Sequence, residues 1–166
     1  MSITIANASP LIALARIDRF PLLQSLFQNI IVPEAVWTEV VIQGSGKPTA
    51  DLAIRAEQQG WLRREQARDT FAVEVLQANL GDGEAEAIVL AQEHNAAWVL
   101  LDDDLARAHA TRLGLSVKGT AGILLAAHHA GLVADLRTTL DTLRSHSFWL
   151  SDRIYAAILD QANGGP

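Results

Sequence analysis

Three consecutive aspartates, Asp102, Asp103 and Asp104, end the apolar run in the stretch VLLDDDLAR at residues 99–107. Adjacent carboxylates repel one another. One aspartate can cap a helix beginning at Leu105 and a second can face solvent. The third has no obvious structural use, and clustered carboxylates stay ionised most readily beside a cation. Glu39 stands three residues after Val36 and three before Ile42, so on a helix it interrupts an apolar stripe. It is either a carboxylate at the edge of the stripe, reaching for solvent or an arginine, or one kept near something cationic. Glu84 and Glu86 fall in the first turn of the next strongly helical segment. The helix macrodipole alone gives such anions about 0.3–1 kcal/mol, while small Ala85 and Ala87 let a neighbouring backbone approach closely. With the amide of Asn7, oxygen donors thus come from four separate segments. Oxygen-only ligands select hard ions, Mg²⁺ or Mn²⁺, over zinc, and hydrolysis of a phosphodiester by divalent metal needs such a set. Histidine offers no rival centre: His94, His109, His128, His129 and His146 contain no i, i+4 pair.

The elements that must position these groups alternate. ITIA (3–6) reads as a short strand, followed by Asn7-Ala-Ser-Pro as a helix start. LIALARI and PLLQSLF read as helices divided by Pro21, NIIVP (29–33) as a buried strand and PEAVWTEVVI as one helix. A loop at 44–48 precedes the helix TADLAIRAEQQ, stopped by Gly60, and WLRRE is a candidate strand. After a weakly helical segment comes LGDGEAEAIVLAQEH, a helix capped by Asp82 or Gly83. AWVLL (97–101) is a strand, DLARAHATRLG a helix, LSVKG a short strand, and the chain from Thr120 on is mostly helical. Such alternation implies right-handed crossovers and a mostly parallel sheet covered on both faces. Ligands of such sheets sit beyond the carboxyl ends of the strands, where Asn7 and Asp102 fall.

At 166 residues the chain is expected to form one domain, residues 1–166, with the helical segment at about 134–162 included. It has no cysteine, and so neither a disulfide framework nor a thiolate metal site. Its first residues, MSITIANASPLIALAR, lack a basic leader, and no apolar run approaches the ~20 residues that span a bilayer; a cytoplasmic protein with no membrane partner is expected. The net charge is −6, and the arginines come in scattered groups, Arg63, Arg64 and Arg68 or Arg107 and Arg112. No basic tract marks a surface for long nucleic acid, although a local basic rim around an acidic pocket is compatible with one. Trp37 and Trp149 could serve a contact surface or the core, the commoner fate of tryptophan. A phospho-accepting receiver domain is excluded by chain position, because Lys118 follows the aspartates too soon.

NASPLIALARI, LLQSLF, IIVPEAVWTEV, LGDGEAEAIVLA, VLLDDDLARAHATRLGL and VKGTAGILLAAHHAGL, in that order, resemble the PIN-domain superfamily. The likeness is to its DUF3368-type prokaryotic subfamily, related to toxin ribonucleases of toxin–antitoxin pairs, and runs from about residue 3 to about 160. The resemblance implies an α/β fold, a three-layer α/β/α sandwich with a central parallel sheet, and Mg²⁺- or Mn²⁺-dependent cleavage of single-stranded RNA. By position it implies Glu39, Glu84 and Asp102 as catalytic residues. The metal-ligating set would be Asn7, Glu39, Glu84 and Asp102 with Asp103 and Asp104. Glu86 is the alternative to Glu84 at the third acidic position, and Arg107 and Thr120 match further family positions. An antitoxin that inserts a basic side chain, and a homodimer, would be the corresponding partners. Asn7 departs from the pattern, since competent members usually carry aspartate there. An amide still coordinates through its carbonyl oxygen, but one negative charge is gone. Asn7 is also a good helix N-cap, and the departure leaves open a PIN-fold module that binds nucleic acid or protein without cleaving.

Overall fold

A computed structural model of the chain describes residues 2–164. Among these residues five strands form one sheet: β1 (Thr4–Ala6), β2 (Ile30–Pro33), β3 (Leu62–Glu65), β4 (Trp98–Leu100) and β5 (Val117–Lys118). Their spatial order is β3-β2-β1-β4-β5, and every pairing is parallel. The expected three-layer α/β/α architecture holds, with the sheet parallel throughout. Strand order reverses at β1, so the crevice between the ends of β1 and β4 is a topological switch point.

Side chains alternate across the sheet as the pleat requires. Ala6, Ile30, Val32 and Leu100 pack on one side with α1 (Ala8–Arg16), α2 (Pro21–Phe27), α4 (Pro48–Gln58) and α8 (Thr120–His129). Leu140 and Leu143 of α9 (Leu136–Ser145) and Ile158 of α10 (Asp152–Asn163) join that core. Ile5, Ile31, Val99 and Leu101 pack on the other side against α6 (Asp82–Glu93) and α7 (Asp104–Arg112), with α5 (Thr70–Gln77) beside them. Helix α6 is buried almost all round from Ala85 to Ala91, which explains its alanine-rich composition.

Two local features depart from expectation. The helix anticipated over PEAVWTEVVI is a short α-helical piece, α3 (Glu34–Trp37), that runs into a π-helical turn, Thr38–Ile42. The Gln43 N–H donates to Thr38 O, five residues back, at 2.8 Å. Such a turn widens the helix and re-aims its side chains. Gly44 permits the exit, because a Cβ there would overlap Val40 O. The second difference concerns α6, whose N-cap is Gly81 and not Asp82 or Gly83. Glu84 takes over the capping by accepting from the Gly81 N–H at 2.8 Å. No helix among the described residues is long and apolar enough to cross a membrane.

Candidate functional site

Beyond the ends of β1 and β4 lies a cleft of about 940 Å³ whose walls include Asn7, Ser9, Glu39, Glu84, Asp102 and Asp103. Four segments far apart in sequence meet there because parallel strands place their carboxyl ends on one edge. Asn7 follows β1 directly, and its N–H donates to Leu100 O of β4 at 3.1 Å. Its backbone is extended, as an N-cap requires, yet its side chain makes no capping bond. The capping role that Asn performs so well is therefore not the one this buried amide plays. Its Oδ1 lies close to Gly83: a Cβ on that glycine would stand 3.0 Å from Asn7 Oδ1, 3.1 Å from Val36 Cγ2 and 3.9 Å from Glu39 Oε2. Absence of a side chain at 83 is what lets α6 approach Asn7 and the π-helical turn so closely.

Glu39 comes from that turn and Glu84 from the first turn of α6. Glu39 is exposed on the cleft wall, yet partial burial of its carboxyl raises its pKa, and the charge of Glu84 raises it further. Among the described residues no cationic side chain pairs with Glu39, Glu84 or Asp102. Glu39 and Glu84 thus repel with no cationic side chain to offset it, the circumstance in which a bound cation gains most.

Asp102 sits differently. Its Oδ1 accepts from the Thr120 N–H at 2.7 Å, and its Oδ2 accepts from the hydroxyls of Thr120 at 2.7 Å and Ser9 at 2.8 Å. These donors hold the carboxylate in place while occupying three of about four acceptor positions. Arg107 stands behind it, its Nη1 donating to Leu101 O at 3.1 Å. Asp103 caps α7 by accepting from the Ala106 N–H at 2.9 Å, although it also borders the cleft. Asp104 lies in the first turn of α7, exposed and outside the cleft lining. Glu86 is turned away: buried, it accepts from the amides of Ala35 at 3.0 Å and Ala67 at 3.1 Å. Its duty is to join α3, α6 and the segment after β3.

The donor set therefore divides. Asn7, Glu39 and Glu84 gather around Gly83, and Asp102 is held apart by Ser9 and Thr120. No group of three His, Cys, Asp or Glu side chains among the described residues is close enough to hold a metal ion; the gathered trio includes an amide in place of a third carboxylate. In donor type and charge these residues fit a hard divalent cation. Glu39 and Glu84, with flexible side chains, would hold it together with the Asn7 carbonyl oxygen, and Asp102 has one acceptor position left for it.

Two polar wall residues escaped sequence reasoning. Ser9 could have been suspected as a hydroxyl just past a strand end, where Thr120, expected from the resemblance, joins it on Asp102. Arg16, also on the wall, carried no signal. Trp37 and Trp149, open between core and surface, take opposite fates: Trp37 is buried and Trp149 is 86% exposed.

The family model DUF3368, described as a PIN domain, matches residues 3–164. Neither the curated proteins nor the solved structures compared with the chain give a match.

Proposed function

Because the chain belongs to the PIN-domain family, in its DUF3368 branch, we propose that it is a divalent-metal-dependent endoribonuclease acting on single-stranded RNA. Members of the family are generally nucleases, and the fold is nuclease-like. The observation that carries the finer reading is the Glu39–Glu84 pair, two carboxylates in one cleft with no cationic partner among the described residues and with Glu39 driven towards its neutral form by partial burial and by its neighbour. A cation there, Mg²⁺ or Mn²⁺, would supply an activated water and offset the negative charge growing on the phosphate. The chain's own share is positional. Glu39, Glu84 and the Asn7 carbonyl oxygen bind the ion. Asp102, fixed by Ser9 and Thr120, presents a carboxylate oxygen on the β4 side. Arg107 steadies the backbone that carries it. Asp103 and Asp104 contribute the start of α7 and negative potential at its rim, with Asp103 the nearer to the cleft. In a toxin-like setting an antitoxin would place a basic side chain between Glu39 and Glu84, and the chain would work as a homodimer in the cytoplasm.

A second reading has its own support. Asn7 removes a charge, and three donors already occupy Asp102, which favours a PIN-fold module that binds nucleic acid or protein without cleaving it. Calorimetric titration with Mn²⁺ and incubation with single-stranded RNA separate the two. The nuclease binds Mn²⁺ saturably, cleaves, and loses both properties in Glu39→Gln and Asp102→Ala. A wild-type chain that takes up no Mn²⁺ and leaves RNA intact sinks the nuclease and leaves the binding module.

A further inference from the structure

Trp149 is a large apolar side chain that folding did not bury. It lies in the connection between α9 and α10, where its neighbours are anchored: Leu150 is buried and Phe148 half-buried. Ser147, in the left-handed region at φ 64°, ends α9. Arg144 then pins the segment from behind, its Nη2 donating to Leu150 O at 2.9 Å and to Asp152 Oδ1 at 3.0 Å. Held by these contacts, the backbone carries Trp149 outward as the one exposed side chain of Phe148–Leu150. The ring borders two spaces, the cleft that contains the carboxylates and a shallower depression lined by Arg144, Leu150, Ser151 and Asp152.

Two polar side chains line the same cleft. Arg16, in the last turn of α1, is exposed and has no ion-pair partner among the described residues. His146 lies with Nδ1 2.9 Å from Thr142 O, so Nδ1 is the donor of that bond and Nε2 is an acceptor. An exposed indole that shares one cleft with a guanidinium and with carboxylates has the chemistry of a single-strand platform. The ring takes a base face and the guanidinium takes the adjoining phosphate. A base stacked inside a duplex has no free face to offer. A protein surface would also accept an exposed tryptophan, but gives no reason for an unpaired guanidinium on the wall of the same acidic cleft.

We infer that Trp149 is a stacking platform for an unpaired nucleobase, with Arg16 on the phosphate next to it, and that it directs a single strand across the Glu39–Glu84 pair. This rests on the proposed function for its substrate but not for its chemistry. Fluorescence anisotropy in EDTA compares a labelled oligoadenylate of roughly eight nucleotides with an abasic ribose-phosphate chain of the same length. Wild type prefers the base-bearing strand by about tenfold or more. Trp149→Ala brings the two affinities together, and Trp149→Phe keeps most of the preference. Phe71→Ala, which removes an aromatic 75% exposed on α5 outside the cleft, leaves it unchanged. Oligoadenylate also quenches wild-type tryptophan emission, and Trp149→Ala abolishes the quenching, since Trp37 and Trp61 are buried and Trp98 lies under Lys118. The inference is overturned if Trp149→Ala retains the wild-type preference. It is equally overturned if that variant only dissociates a wild-type dimer in sedimentation. Preference dependent on Trp149 without cleavage in Mn²⁺ would sink the nuclease alone; cleavage with a preference indifferent to Trp149 would sink the platform alone.

Discussion

At the scale of single residues, the site turns on Asn7 and Glu39. Asn7 is the neutral member of a trio whose other two members are carboxylates. Restoring a unit charge near ~4 Å from a bound cation contributes about 1–4 kcal/mol between aqueous and near-surface dielectric. Asn7→Asp is therefore expected to tighten Mn²⁺ binding by at least about fivefold in calorimetry; unchanged affinity would place the ion elsewhere. Glu39 makes a prediction about pH. Its folded pKa is raised by burial and by Glu84, so the folded state holds this proton more tightly than the unfolded chain does. The resulting stabilisation is complete below the ordinary carboxylate range and is lost as pH rises through the raised value. In metal-free buffer Glu39→Gln, uncharged throughout, should melt above wild type at about pH 7 and lose that advantage by about pH 4. Thermal melts at both pH values, followed by circular dichroism, test this. A variant less stable than wild type at neutral pH would mean that a favourable partner holds the ionised carboxylate.

At the scale of elements, the placement of the carboxylates depends on joints between them. The π-helical turn Thr38–Ile42 delivers Glu39, and α3 is tied to α6 through Glu86, whose oxygens accept from Ala35 and Ala67 amides. Glu86→Ala leaves the buried Ala67 N–H and the part-buried Ala35 N–H without an acceptor, a loss of about 1–3 kcal/mol for each. Urea denaturation is expected to show a destabilisation of about 2–5 kcal/mol with an unchanged slope. A change below about 0.5 kcal/mol would mean that other acceptors take over these amides. Anion–dipole reasoning placed Glu84 and Glu86 together in one helix turn. Only the packing of α6 against α3 and β3 separates them, sending Glu84 to the Gly81 N–H at the cleft and Glu86 into the interior.

At the scale of the whole molecule, the charge of −6 sets the terms of substrate binding. An acidic chain with Arg16 as the cationic side chain of the cleft wall among the described residues neutralises few phosphates. Since each contact to a single strand contributes about −0.7 to the slope of log affinity against log salt, a slope of about −1 is expected. Anisotropy titrations from low to moderate salt measure it, and a slope steeper than about −4 would require basic groups beyond the cleft wall.

Strand–helix alternation, apolar runs closed by Asn7 and Asp102, and Pro10 and Pro21 opening helices were sufficient to foresee a parallel α/β sheet with oxygen donors along one edge, because those signals lie within a few residues of one another. The partners of each donor were not. Ser9 and Asp102 are 93 residues apart in sequence, and whether Asn7 caps α1, Glu86 turns inward or Trp149 stays in solvent depends on which element packs against it. Periodicity describes one face of one segment. A side chain's partner is chosen by the close approach of segments remote in the chain, here through Gly83 and the π-helical turn, and only the tertiary structure decides it.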